Sequence, residues 1–493
     1  MKKDSYFRFI FRKGQALDWL VIFASVALGC FLVTRTYPYP RAMSDSYGYI
    51  WAAMKSQFNY MRPYGYSFYL QLLHHISVNV FSLIVSQAFI YALSLALLTL
   101  AVKKYWPPRK VWVFRAFEAL TALSPAAIFM LNTILSDTLQ CSLVFVSLAM
   151  ILVMIHEGSW IAVIIYTLAM FASFHTRYTS VFFPLAFIPV LVLKGKAIFR
   201  ISVIVLTVAA FMVFHGQRSR NMTSFSPHKQ YSTGFEGWQL ANNAIHVIPF
   251  FNKEVNPKIP KDKRVRELHQ FVVRYELANG IIRAKTGNGT KATAAFIWDY
   301  DSPLKQHLIR ILGENNYGLV WVSLGSGVFK DYGKWLIINY PWQFVKHYLW
   351  PNAKEAFFTT HNEVICGHNE IPVGKNEIVE WFDLPFNKDL SSRGDTFGKI
   401  FRPLFPWIEL LTWLVFLASV AVIFIVGEYR SLSRETRLSL WMLFLFGLVY
   451  YGTVTFASPI SLRYWMPMHA VKLVFAWIAV SDSLRIRASR DPR

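Results

Sequence analysis

Four ionisable side chains stand where long apolar runs end. Asp45 lies in "SDSYGYIWAAMK", Asp137 in "NTILSDTLQ", Arg177 in "HTRYTS" and Arg463 in "SLRYWMPMH". Arginine presents a planar fork that matches the oxygens of a phosphate. A carboxylate can accept the proton of an attacking hydroxyl. A lipid-linked phosphate or pyrophosphate is an anion native to a membrane surface. Two arginines to neutralise it as a leaving group and an aspartate to activate a nucleophile are the parts of a transferase with a polyprenyl-phosphate donor. Each residue also has a purely structural reading. An arginine at a helix end snorkels to headgroups, Asp137 caps a helix, and Asp45 caps a short surface helix through "SYGYIWAAMK". The tyrosines between them read as an interfacial belt. The functional reading rests on four such residues meeting at one depth on one face.

The elements that must bring them there are membrane helices. The 493-residue chain is 54% hydrophobic and only 16% charged, against roughly 25% charged in soluble domains. Apolar runs near 16–35, 79–102, 112–132, 136–156, 159–175, 178–194, 198–215, 405–427, 438–457 and 463–482 are each long enough to cross roughly 30 Å of hydrocarbon. The basic clusters are the head (Lys2, Lys3, Arg8, Arg12, Lys13), "KKYWPPRKVWVFR", "KGKAIFR", "EYRSLSRETR" and the tail "RIRASRDPR". With ten spans they all fall on one side, which the positive-inside rule makes cytoplasmic together with both termini. The net charge of +23 is thereby assigned to topology and not to nucleic acid. The first run is too long for a signal-peptide core and reads as a retained helix. Three cysteines make no disulfide framework, and neither CxxC nor HExxH appears.

The expected fold is therefore an all-α polytopic membrane protein of about ten transmembrane helices with a mixed extracytoplasmic domain. An N-terminal module of about seven helices, 1–215, carries a first outer loop at 36–78. An outer domain occupies 216–404, with a surface helix near 335–358 where Trp, Tyr and Lys mix. A C-terminal module of about three helices and a basic tail fills 405–493. Within the outer domain, "GFEGWQLANN" reads first as a turn before a helix, and His74 and His75 as satisfied interfacial groups.

These motifs also carry a resemblance. "SDSYGYIWAAMK" followed by "RPYGYSFYLQLL" resembles the first outer loop of the GT-C superfamily of integral-membrane glycosyltransferases. "SPAAIFMLNTILSDTLQCSLVFVSLAMIL" is similar to their third and fourth helices. "HTRYTSVFFPLAFIPVLV" and "RYWMPMHAVKLVFAWIAV" resemble helix starts of the protein mannosyltransferase and lipid A aminoarabinose transferase branch. It covers 1–200 and 400–484 and leaves 216–404 unmatched. It implies Asp45 as general base and Asp137 as an acceptor-holding or metal-assisting acid. It implies Arg62, Arg177 and Arg463 as contacts of the donor phosphate, with Tyr64, Tyr178 and Tyr464 beside them at the substrate. It further implies a polyprenyl-phosphate-linked sugar donor, an envelope glycan, lipid or protein acceptor, and work on the outer face of a plasma or inner membrane. The first-loop acid is single and "RPYGYS" lacks the second proline, so a divalent metal, Mg or Mn, is left open.

Other classes predict other sequences. A transporter or flippase of lipid-linked sugars places ionisable residues near the midplane of broken helices, whereas these spans read as nearly charge-free at their centres. A glycan polymerase would share basic outer loops without the first-loop aspartate and proline turn. A membrane anchor needs no acids and arginines from four segments.

Overall fold

The computed structural model describes residues 5–59, 61–186, 197–225, 235–314, 320–357, 377–384, 399, 403–425 and 428–490. Among them the chain is helical throughout, with only isolated β-bridges. Contacts divide it into two compact units. The first comprises Met1–Phe214, Phe358–Tyr450 and Ser461–Arg493, the second His215–Phe357 and Tyr451–Ile460. The N- and C-terminal membrane modules separated in the sequence thus form one unit. The second unit ends at Phe357 and not at 404, and it gains a piece of the C-terminal third. Its described residues are helical and not mixed.

The first unit is built on α1 (Ala16–Thr36), α2 (Ser44–Lys55), α3 (Gly65–Ile76), α4 (Val80–Tyr105), α5 (Val111–Ala122), α6 (Pro125–Leu131), α7 (Asp137–Glu157), α8 (Trp160–Thr176) and the start of α9 (Ala197–Phe225). After the second unit come α10 (Phe405–Ile425), α11 (Arg434–Ala457) and α12 (Met466–Arg490). Among the described residues six helices are long and apolar enough to cross a membrane: those of α1, α4, α7, α9, α10 and α11. There are seven if α5 and α6 form one span. The chain is thus a multi-pass helical protein, but the count of ten is not reproduced. The third run is bent by 52° at Ser124–Pro125, where the proline has no N–H to continue the ladder. The fifth, α8, has 17 residues. The sixth begins as a 3-10 turn, Tyr178–Phe182, followed by the short helix Phe183–Ala186, and its remainder from 187 lies outside the described residues. The tenth, α12, carries His469, Lys472 and Asp482.

α7 is the central helix. Buried residues make up 83% of its apolar window, against 28% for α9 and α10, whose outward residues are left for lipid. Around it run buried charges that the sequence did not disclose. Lys103 donates to Asp18 (2.5 Å) and Gln15 (2.8 Å), joining α1 to α4, and Arg115 of α5 lies 3.5 Å from Asp18. Lys472 of α12 donates to Glu409 of α10 at 2.9 Å, with His469 Nδ1 3.7 Å from the same carboxylate. These acids and bases are paired across helices, which is how a charge in an apolar interior persists, while the buried Glu118 of α5 accepts from the Thr99 hydroxyl at 3.4 Å.

Candidate functional site

The site begins with two straps. Arg41 N–H donates to the Asn132 carbonyl (2.8 Å), and Ile134 N–H returns to the Arg41 carbonyl (3.0 Å). The Asn132 side-chain amide donates to the Tyr37 carbonyl (3.0 Å). The chain leaving α1 is thereby bound to the turn entering α7, so Asp45 and Asp137 are brought to one place. The second strap is steric. A Cβ at Gly65 would sit 2.5 Å from the His175 carbonyl oxygen, so only glycine lets the start of α3 press against the end of α8. That contact sets Arg62 and Arg177, two or three residues away along each chain, beside the same hollow.

Asp45 is in the first turn of α2 but is not its cap. The N-cap is Met43, whose N–H donates to the Oγ of Ser46 in the first turn (2.9 Å), and that hydroxyl donates to the Ile134 carbonyl (2.7 Å). The Asp45 carboxylate instead receives Arg62 in a close ion pair, and Arg463 Nη1 lies 3.6 Å from its other oxygen. Asp137, the first residue of α7, pairs closely with Arg177. Tyr464 joins the two halves. The guanidinium carbons of Arg463 and Arg177 stand 5.1 and 5.4 Å from its ring centre, and Arg463 Nη2 donates to its hydroxyl at 3.2 Å. The cluster is half-buried, with side-chain exposures of 23% for Arg62 and Arg177, 15% for Asp45 and 13% for Arg463.

Three guanidinium groups and two carboxylates leave one positive charge over. Burial works to raise the pKa of Asp45, but Arg62, Arg463 and Arg177 outweigh it and hold the carboxyl below its ordinary value. Burial likewise raises the Tyr464 phenol, and Arg463 and Arg177 bring it below the usual tyrosine range. A hollow with surplus positive charge and forked donors suits an anion with several oxygens.

Of the residues singled out in the sequence, Asp45, Asp137, Arg62, Arg177, Arg463 and Tyr464 are brought together. Tyr64 and Tyr178 make other contacts. Tyr64 donates to Gln71 Oε1 (2.7 Å), whose amide reaches Ala53 and Ser56, and so clasps α3 to α2. Tyr178 has its ring 6.4 Å from that of Phe214 on α9. Sequence reasoning missed Tyr49, whose hydroxyl pairs with Ser136 Oγ (2.9 Å) and whose ring carries Arg62 at 5.4 Å. Its spacing of four from Asp45 on one helix was the available signal. It also missed Met43, whose sulfur is 3.9 Å from Arg463 Nη1, and Tyr450, which donates to the Tyr464 carbonyl at 2.6 Å.

Both carboxylates of the cluster are engaged by arginines, Asp45 by Arg62 and Asp137 by Arg177. Among the described residues no group of three or more His, Cys, Asp or Glu side chains could hold a metal ion. No protein-family model, curated protein or solved structure matches the chain.

Proposed function

We propose that the first unit is a glycosyltransferase that moves a sugar from a polyprenyl-phosphate-linked donor to a glycan, lipid or protein acceptor of the cell envelope, on the outer face of a plasma or inner membrane. The observation that carries the proposal is the convergence of three arginines and two aspartates with one positive charge in excess at the helix ends. In this reading the donor phosphate takes the guanidinium forks of Arg177 and Arg463 beside Tyr464, with Arg62 completing the set. The acceptor hydroxyl oxygen forms a bond to the anomeric carbon. The bond from that carbon to the phosphate oxygen breaks, and its electron pair leaves on the polyprenyl phosphate. The acceptor proton passes to Asp45. Asp137 holds Arg177 and, with it, the phosphate position.

The ion pairs add a condition. While Asp45 is bound to Arg62 and Arg463 it is a poor base, since both arginines favour its ionised form. Phosphate that draws these arginines toward itself loosens their hold on Asp45 and raises its basicity as the donor seats. Base activation is thereby coupled to donor binding. Mass spectrometry of envelope lipids and polysaccharides from cells with and without the gene tests the proposal. The loss of one sugar mass from one product is expected, and identical profiles would remove it.

A second reading, a transporter or flippase of lipid-linked sugars, is favoured by the buried Glu409–Lys472–His469 and Asp18–Lys103–Arg115 groups, since paired ionisable residues inside spans mark ion-coupled transport. Purified protein in sealed vesicles separates the two. Movement of a labelled lipid-linked sugar between leaflets without a new glycosidic bond would favour transport.

A further inference from the structure

The second unit carries a surface that the proposed transfer does not use. A helical rod runs from Pro341 to Glu355 and contains one π turn, Val345–Leu349. One side of it is buried, with Phe344, Tyr348 and Asn352 at 2%, 0% and 2% exposure. The opposite side repeats every four residues as Trp342, Lys346, Trp350 and Lys354, all exposed, with the tryptophans at 67% and 59%. In a regular α-helix, positions eight apart drift by about 80° around the axis. The wider π turn between them reduces that drift and keeps the two indoles in one row.

The chemistry of what covers this row follows from where the rod is fastened. The buried amide of Asn352 donates to the carbonyls of Thr455 (2.7 Å) and Ser458 (2.8 Å), and its oxygen accepts from Ile460 N–H (2.7 Å). Tyr451 donates its hydroxyl to the Ala353 carbonyl at 2.7 Å. Residues 451–457 are the last turns of α11, which is long and apolar enough to span the membrane. The rod is therefore fastened to the last turns of α11 and the residues that follow it. Indole rings with an apolar body and one N–H, set between lysines, are the side chains that favour the headgroup layer. We propose that the Trp342–Lys346–Trp350–Lys354 row is a membrane-embedded ridge, its indoles lodged at the headgroup–acyl boundary and Lys354 on anionic lipid phosphate, while Lys346 Nζ is held by Glu254 Oε1 at 2.8 Å. The inference is independent of the transfer reaction.

The test uses the full chain in lipid nanodiscs of phosphatidylethanolamine and phosphatidylglycerol, with Cys30, Cys141 and Cys366 replaced by alanine. A nitroxide is attached at Trp342→Cys or Trp350→Cys, and its collisions with oxygen are compared with those with a water-soluble nickel chelate. Labels at Leu448→Cys, on the lipid-exposed side of α11, and at Lys261→Cys, in an exposed loop, give the lipid and water limits. Oxygen collisions exceeding nickel collisions at both 342 and 350 are expected. Values matching Lys261 would overturn the ridge. Shielding from both agents would overturn it equally, by showing that protein covers the row. Lys354→Glu is expected to shift both labels toward the water limit, and an unchanged depth would refute the assignment of Lys354 to lipid phosphate.

Discussion

Asp45→Asn is the substitution that separates a base from a structural ion-pair partner. It keeps shape and volume, removes one negative charge, and takes the cluster from one to two positive charges in excess. A phosphate seated on Arg463 would lie about 6 Å from the Asp45 carboxylate, one hydrogen-bond length beyond the 3.6 Å that separates Arg463 from it. Two unit charges at that distance interact by about 1–3 kcal/mol at the effective dielectric of a partly buried site. Removal of the aspartate therefore tightens anion binding by about tenfold to a hundredfold. Transfer should be lost, because no group remains to take the acceptor proton. The combination is diagnostic, since donor affinity rises while turnover disappears. A short polyprenyl phosphate titrated into the detergent-solubilised protein by calorimetry gives the first quantity. Product mass from a lipid-linked sugar mixture gives the second. Weaker or unchanged phosphate binding in the variant would refute the placement of the anion beside Asp45. Normal transfer would refute its role as base.

Arg177→Ala removes one fork of the anion site and releases Asp137, so the half-saturating donor concentration should rise at least tenfold; an unchanged value would return Arg177 to a headgroup-snorkelling role. Because Asp45 titrates below its ordinary value, its ion pairs contribute fully above the unfolded value of about 3.9 and fade only as pH falls through the folded one. The melting temperature of the wild type minus that of Asp45→Asn should thus be flat from pH 8 to pH 5 and shrink below about pH 4; a decline already near neutral pH would contradict the pairing. Lys472→Met leaves Glu409 buried without its partner and should cost about 3–5 kcal/mol, while Glu409→Met with Lys472→Met recovers most of it; equal melting temperatures for the single and double variants would show that the pair is not coupled. Asn352→Ala leaves three buried backbone groups unmet, at about 1–3 kcal/mol each, and should lower the melting temperature of the second unit; no change would mean water replaces the amide.

The membrane class and the chemistry-bearing ends of the helices were legible because hydropathy and charge placement act locally. Asp45, Asp137, Arg177 and Arg463 each stood out as an ionisable residue beside an apolar run, and α7 was read within a residue or two of its bounds. What could not be read was pairing. Nothing local says that Arg41 binds the Asn132 turn, or that Gly65 is pressed on His175, and those contacts decide which side chains meet. Tyr64 was placed beside the arginines by the resemblance, yet α3 begins there and turns it toward Gln71. The count of ten spans is not reproduced among the described residues for a related reason. Helices packed inside a bundle are free to be short, bent at Pro125 or interrupted by Lys472, because neighbouring helices satisfy what lipid could not.

That last point bears on which reading of the molecule is stronger. Buried charges inside spans invite a transport mechanism, but a coupling site must exchange partners as it works, and its charges need room to separate. Lys472, 1% exposed, and Glu409, 5% exposed, are closed in beside Trp413, whose ring lies 4.7 Å from the lysine nitrogen. Trp413 also packs on Trp465, two residues from Arg463. The pair thus stands one aromatic layer behind the anion cluster, where it fastens α10 to the start of α12 and holds Arg463 in register. The outer cluster differs in each respect: it is half-open, holds surplus charge, and has arginines whose partners an incoming phosphate can replace. Static pairs behind and exchangeable pairs in front are the arrangement of a supported reaction site more than of a conducting path.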